Sequence, residues 1–295
     1  MPKAFQTMLS IPGIILFVLL FAMFPVVLQA DHFAGGLHFH WAKGFLSIRD
    51  YLEGVWTGQS FRYLAGKTEL SFWEQIGRSF TVTLFYMVIG SVMGMTVGVL
   101  LGIYFAVTRA EWLKRVLEMT SVLPEFLIAI LLQFLIVFIA SKTGLVIFQV
   151  ASASSDDPAI VLPLLSTMII PGNYMIRNVA MHMNQTFTED YISYAKARGL
   201  GKGYITFYHA LPNVLPFIKA DLHKFLGLLV GNIFIIEYMY NLSGVTKLVF
   251  SNAFASKGYQ YSLVVNGILT LLLLYALGYA LLRLIVFGWE KVLVR

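Results

Sequence analysis

Long apolar runs, each close to the length of a membrane crossing, alternate with short polar segments along this chain. A helical crossing of a bilayer needs about 20 mostly apolar residues. Six runs meet or approach that length, at 11–29, 80–107, 119–140, 160–178, 212–238 and 263–288. The pattern predicts an all-α integral membrane protein with about six transmembrane helices. The second run is long enough to tilt or to project beyond the bilayer. Within it Gly90, Gly94, Gly98 and Gly102 recur every fourth residue and place a glycine stripe on one helix face. Such a stripe admits a close neighbour, and packing inside the subunit is its expected use. Pro124, Pro163 and Pro171 lie in or beside runs three and four, where their missing N–H groups predict kinks.

Composition agrees with lipid as the main solvent. The 295 residues are 58% hydrophobic and 12% charged, against roughly 25% charged in a soluble domain. In a soluble protein the net charge of +6 would suggest nucleic acid. Here basic loops that orient the helices account for it, and no nucleic-acid partner is expected. The absence of cysteine excludes disulfides, thiolate metal sites and a cysteine nucleophile. The first apolar stretch, Ile11 to Leu28, is long for a secretory signal and no small-x-small cleavage site closes it, so it reads as a retained anchor.

Placing the N-terminus inside puts Lys3, Arg109, Lys114, Arg115, Arg177, Lys196, Arg198, Lys202, Lys219, Lys224, Arg283, Lys291 and Arg295 on the inner side. That is 13 of the 21 basic residues, on the shorter loops. The remaining eight are outside, five of them in the long 30–79 loop, which counts little in this rule. Both termini are therefore expected in the cytoplasm. The outer loop balances its five bases with Asp31, Asp50, Glu53, Glu69 and Glu74, and its Trp41, Trp56 and Trp73 suggest a folded or interface-lying cap.

The most informative stretch is 185–216, a polar segment between two apolar runs on the inner side. Thr186-x-x-Glu189 reads as a capping box, with Glu189 and Asp190 at the positive end of a helix. Ala195 and Ala197 are small enough for a partner to approach. Gly199 is placed to end that helix with a positive φ. A second short helix then runs to Pro212, which can start the fifth span. Spacing alone leaves an ordinary amphipathic interface helix as an equal alternative.

These residues resemble the loop signature of ABC importer permeases, Glu-Ala-Ala, three residues, Gly, nine residues, Ile-x-Leu-Pro. Gly199, His209 and Leu211-Pro212 stand at matching positions. The peptide and nickel branch is closer still, through Glu189-Asp190-Tyr191, Ala195-Lys196-Ala197-Arg198-Gly199-Leu200 and His209-Ala210-Leu211. Thr81-x-Thr83-Leu84, Gly98-x-x-x-Gly102, Leu162-Pro163 and Arg177 also fit, so the resemblance covers roughly 76–282. After run five, Glu237-Tyr-Met-Tyr-Asn-Leu-Ser-Gly244-Val-Thr-Lys247-Leu248 is similar to an outer loop that marks the first of the branch's two permease types. There are departures. Ser193, Tyr194 and His209 replace the general Glu, Ala and Ile, Ser243 and Thr246 replace a Pro and a Gly, and the branch's Asp-Pro-Arg ending is absent.

The resemblance implies a type I importer permease fold with four parts: an anchor at 1–30, an extracytoplasmic loop or cap at 31–79, a permease core at 80–288 that includes a cytoplasmic coupling loop at 185–210, and a tail at 289–295. It implies that Glu189, Asp190, Tyr191, Ala195, Ala197, Arg198, Gly199, Leu200, His209, Leu211 and Pro212 couple the chain to an ATPase. Glu237, Gly244 and Lys247 are implied to form an outer gate or loop. The implied partners are a second permease, two ATP-binding cassette subunits and an extracytoplasmic substrate-binding protein. No Walker A pattern occurs here, so ATP and Mg would be bound by the partners and this chain would hold no cofactor.

Other chemistry is weaker. His38-x-His40 could hold a metal only with further ligands converging on it. His223 more often packs at an interface. Asp156-Asp157 before Pro158 reads as a solvated turn. Glu237 either holds the outer loop, lines a gate or faces water. An ion-coupled secondary transporter needs ionisable residues at mid-membrane, and runs two, three and six have almost none in their centres. A membrane enzyme needs a converging catalytic set, and neither HExxH nor a local Ser/His/Asp signature is present. Within the importer class, peptides lead as substrate, with nickel, metal chelates or other small solutes as the alternative.

Overall fold

The computed structural model describes residues 3–31, 36–108, 111–154, 156–256 and 258–293. Along the chain α1 (Lys3–Ala22) leads at once into the short α2 (Phe24–Val27). β1 (Leu28–Asp31) and β2 (Gly36–Phe39) form an antiparallel hairpin, followed by α3 (Trp41–Thr57). A 3-10 turn at Gln59–Phe61 enters a second hairpin, β3 (Arg62–Ala65) with β4 (Thr68–Ser71). Then come α4 (Phe72–Val107), α5 (Glu111–Val122), α6 (Glu125–Thr143) and α7 (Val161–Thr186). A polar segment carries α8 (Asp190–Ala197) and α9 (Lys202–Tyr204), and a π turn at Ile205–Ala210 runs into α10 (Leu211–Met239). The chain ends with α11 (Val245–Asn252), the small pair β5 (Phe254–Ala255) and β6 (Gly258–Tyr259), and α12 (Tyr261–Leu293).

Among the described residues, four helical stretches are long and apolar enough to cross a membrane: Phe72–Val107, Glu125–Thr143, Lys202–Met239 and Tyr261–Leu293. The apolar helix at Ile11–Val27 is shorter. The 26-residue α7 matches the fourth expected run but is too polar for that set, since it carries Asn173, Arg177, Asn178 and His182.

Two expected boundaries move. Pro124, in extended conformation, splits run three, so that an amphipathic α5 precedes an apolar α6 starting at Glu125 instead of 119. Run four continues to Thr186, which places Arg177 inside a helix and not at its end. Run five, expected at 212–238, corresponds to α10 with Pro212 in its first turn as expected, while α9 and the π turn extend the helical stretch back to Lys202. The π turn just before Pro212 changes the hydrogen-bond register where the proline ring would press on the carbonyl four residues back. Of the basic residues used for orientation, Arg109 and Arg295 lie outside the described residues. The side chains of Lys3 and Lys114 do too, as does that of Asp31.

The chain forms two compact units, residues 1–82 with 243–274, and residues 83–242 with 275–295. In the first, Val18, Leu19, Ala22, Met23 and Val27 pack with Tyr51, Tyr261 and Val265. A closed ring of hydrogen bonds locks α3 to α12. Tyr51 donates to Asn266 Oδ1 (2.8 Å), Asn266 Nδ2 donates to the Ser60 carbonyl (2.8 Å), and Ser60 Oγ donates to the Tyr51 carbonyl (2.7 Å). The Tyr261 and Tyr259 hydroxyls donate to the Leu19 and Ala22 carbonyls (2.9 and 2.8 Å), in the last turn of α1, where intrahelical donors run out. Gln260 joins β3 to α11 by bonding both backbone groups of Leu64 and the Asn252 carbonyl. Burial raises the Tyr51 phenol above its ordinary range and pushes Tyr259 up to about 12.

In the second unit the glycine stripe of α4 lies against α7. A Cβ on Gly98 would come within 2.7 Å of the Met175 Cβ, and one on Gly102 within 2.7 Å of the Val179 Cβ. Gly90 is as close to Thr167 (2.8 Å), and Gly94 faces Met168 at ordinary contact distance (3.4 Å). The stripe therefore serves packing within the subunit, and it fixes α4 on the helix that precedes the polar segment. The opposite side of α7 packs extensively along α10, where Leu222, Leu226, Leu229 and Ile233 are buried.

Candidate functional site

The segment after α7 is a helix, a tight turn and a second helix. Thr186, the last residue of α7, donates its hydroxyl back to the His182 carbonyl (2.9 Å). Glu189 is the N-cap of α8 and makes no side-chain cap bond. The capping box expected from the sequence is thus not formed, because Thr186 still belongs to the preceding helix. Asp190 occupies the first turn of α8, where a negative charge complements the helix dipole. The C-terminus of α8 matches the expectation for Gly199. Its φ is 78°, its N–H donates to the Lys196 carbonyl (2.9 Å), and the Leu200 N–H donates to the Ala195 carbonyl (3.3 Å). This is the Schellman pattern, which reverses the chain and satisfies two terminal carbonyls.

Helix α8 has an inner and an outer face. Ile192 and Ala195 are buried against the chain itself, whereas Tyr191, Tyr194, Ala197 and Arg198 are exposed. The sequence reading paired Ala195 with Ala197 as approach points for a partner. Only Ala197 is available, since the small size of Ala195 is used to seat α8. Tyr194 is 66% exposed, and the Arg198 guanidinium lies 5.8 Å from its ring centre. Partial burial, then the charge of Glu189, raise the Tyr191 phenol above its ordinary range. Beyond the turn, Tyr204 stacks on Tyr208 at 4.8 Å and meets His209 edge-on at 5.6 Å, and Phe207 is exposed. The Nε2 of the half-buried His209 is enclosed without a hydrogen-bond partner. Leu211 is buried and Pro212 half-buried. So many exposed aromatic rings on a polar segment form a surface suited to another protein.

At the far end of α10, Glu237 is 1% exposed and accepts a 2.5 Å hydrogen bond from the Thr83 hydroxyl. A water-facing acid is therefore ruled out at this position. The Glu237 carbonyl also receives the Leu242 N–H (2.9 Å), which turns the chain, with Asn241 at φ 56°. In the other unit, Gly244 caps α11 in extended conformation, and the half-buried Lys247 lies in its first turn.

A further polar group lies between α7 and α10. The Asp221 carboxylate accepts from the Tyr174 hydroxyl (3.2 Å) and from Asn178 Nδ2 (2.8 Å). The Lys224 ammonium sits 4.7 Å from the Tyr174 ring centre. A cavity of about 340 Å³ is lined by Asn173, Tyr174, Arg177, Asn178 and Lys224, with Ile170 and Leu228.

Residues 90–295, which contain nearly all of these features, match the model of one family, described as binding-protein-dependent transport system inner membrane component. The chain belongs to this family. That makes it a membrane transport component, and its relatives are permeases of the dipeptide and nickel branch of ABC importers. One is the metal-staphylopine import system permease protein CntB of Staphylococcus aureus, 27% identical over 179 residues, covering 59% of this chain and 55% of that one. Another is the dipeptide transport system permease protein DppB of Alkalihalophilus pseudofirmus, 22% identical over 261 residues, covering 81% and 77%. The nickel import system permease protein NikB of S. aureus is 24% identical over 163 residues, covering 54% and 46%. The match to CntB and NikB thus spans about half the length of those relatives. Among solved structures, an inward-facing MetNI methionine ABC transporter chain aligns with a TM-score of 0.51 at 17% identity, covering 73% of this chain and 94% of that one, and shows the shared fold.

The segment after α7 was legible because its glycine, alanines and prolines sit at motif spacing. The group at Asn173, Tyr174, Asn178 and Asp221 was missed. A signal did exist, since polar residues one and four apart on facing apolar helices mark one shared face. Arg177 and Lys224 had been absorbed into the count of inner basic residues.

Proposed function

We propose that this chain is one of two permeases of an ATP-driven importer for di- or oligopeptides in a bacterial cell membrane. Both termini and the 185–210 segment face the cytoplasm and 30–79 faces outside. Two ATP-binding cassette subunits bind ATP and Mg and dock on α8. An extracytoplasmic binding protein delivers the substrate. Closure of the ATPase pair rocks the permeases between inward and outward openings. The observation that carries this reading is α8 itself, a short helix with Tyr191, Tyr194, Ala197 and Arg198 exposed and a Schellman turn at Gly199 that sets its angle. Import of a metal chelate is the second reading, favoured by the 27% identity to CntB. Peptides lead because the likeness to DppB extends over 81% of the chain.

Two glycines test the coupling role. A Cβ at Gly199 or at Gly203 would meet nothing within 4 Å, but only Gly199 has a positive φ, at 78°. Gly199→Val therefore costs roughly 1–2 kcal/mol in backbone strain and changes how α8 meets α9. Gly203→Val leaves that angle intact. At matched membrane levels, Gly199→Val should reduce transport by roughly tenfold or more and uncouple ATP hydrolysis, while Gly203→Val stays near wild type. Equal, near-normal activity of both variants would remove the coupling assignment.

A further inference from the structure

Helix α3 has three faces. At about 100° of rotation per residue, Gly44, Ile48, Tyr51 and Val55 share the first, which packs into the core of its own unit. Lys43, Leu46, Arg49, Asp50 and Glu53 lie on the second, which is exposed. There Arg49 pairs with Asp50 (3.6 Å) and Glu53 (3.3 Å). Trp41, Phe45, Leu52 and Trp56 make the third, within about 60° of one another. All four are exposed, Trp56 to 92%.

The buried face fixes the depth of α3. A Cβ on Gly44 would meet Val27 Cγ2 at 2.5 Å and Met23 Sδ at 3.1 Å, so this end of α3 is seated on α2. One helix turn pair later, Tyr51 packs with Tyr261 and Val265 and bonds Asn266. Helix α3 therefore lies across the end of α2 and the beginning of α12. The latter has 33 residues, of which about 20 fill a hydrocarbon core about 30 Å thick. The remaining turns belong to the two headgroup layers, and Tyr261–Asn266, where α3 is fastened, are the first residues of the helix.

An exposed apolar path joins the third face to the apolar helix at Ile11–Val27. Phe24 is exposed on α2, and Leu28 directly after it. Leu28 pairs with Phe39 across β1 and β2, and the Phe39 ring stacks on Trp41 at 6.2 Å. An exposed apolar patch of this length, rimmed by charge, marks a contact with protein or lipid. Its depth and its tryptophans favour lipid, since Trp gathers at the membrane–water boundary.

We propose that α3 is an interfacial helix that lies in the headgroup layer. Trp41, Phe45, Leu52 and Trp56 enter the acyl boundary, and Arg49, Asp50 and Glu53 face water. Lys43 and Arg49 balance Asp50 and Glu53, so the occupant is the apolar edge of the bilayer and no anionic headgroup is required. Through Gly44 and Tyr51 the helix holds α2 and the first turns of α12 at one depth. This side is the outer one in the topology proposed above, and an extracytoplasmic binding protein then meets the charged face of α3 and not its aromatic face. The inference depends on neither the substrate nor the ATPase.

A photoreactive phenylalanine analogue placed in turn at Leu52, Trp56 and Glu53, all exposed, tests it. The assembled importer is irradiated in nanodiscs of phosphatidylcholine alone, with and without binding protein, and the mass of this chain is measured. Phe45 replaces either apolar position whose variant does not assemble. Positions 52 and 56 should gain the mass of one phospholipid on the order of five times more often than position 53, since an interfacial helix sinks its apolar face about 5–10 Å into the acyl boundary. Binding protein should leave that yield unchanged. Equal lipid capture at 53, no lipid adduct at 52 and 56, or capture there of the binding protein or a second permease in place of lipid would each overturn the assignment.

Discussion

Thr83 and Glu237 are 154 positions apart and meet through one 2.5 Å hydrogen bond in a buried setting. Their sequence contexts, Thr81-x-Thr83-Leu84 and the stretch from Glu237 to Leu248, both stood out, but nothing in the sequence said that they touch. The energetic asymmetry of a buried carboxylate makes the pair testable. Thr83→Val keeps the shape and removes a donor from a buried acid, which should destabilise the complex by about 1–3 kcal/mol. The change should be seen as a lower unfolding temperature by tryptophan fluorescence. Glu237→Gln in the same background should recover part of the loss, because a neutral amide tolerates a missing donor better. Additive losses in the double variant would show that the two side chains do not act as a pair. Gly199 is the contrasting residue. Its positive φ was readable from sequence because few residues other than glycine end a helix that way.

At the scale of elements, the apolar runs located the helices well and their ends poorly. Hydropathy fails at the end of α7 because beyond 178 the helix continues into polar residues, of which the chain itself buries Thr186. It locates α10 to within a residue but misses the helical stretch before it, since a π turn carries the helix back past Pro212 to polar residues from Lys202. The glycine stripe was legible as periodicity, and its partner was not. Its role in seating α4 on α7 sets a prediction within one helix. A Cβ at Gly98 would crowd Met175 at 2.7 Å, whereas one at Gly77 would meet nothing within 4 Å. Gly98→Ala should therefore destabilise the protein by about 1–3 kcal/mol through overpacking. Gly77→Ala should be neutral or slightly stabilising, since alanine loses less backbone entropy in a helix. Thermal stability and membrane yield of the two variants check this, and equal behaviour would mean that the α4–α7 contact yields readily.

For the molecule as a whole, composition and run length were enough for a multi-pass helical membrane protein, because lipid forces every spanning backbone group into a helix or closed barrel. The turn at the end of α8 was legible in advance because its geometry depends on glycine at a fixed position. The polar cavity was not, since it exists only once α7 and α10 pack. The central claim, that α8 is where ATP-derived motion enters the permease, has a direct measurement. A photoreactive phenylalanine analogue is placed at Tyr194, exposed on α8, and at Ile192, buried on the same helix, and the cells are irradiated. The account predicts that position 194 captures a subunit carrying an ATP-binding cassette and that position 192 captures only this chain. Capture of lipid alone from position 194, in membranes where the importer is assembled and active, would contradict it.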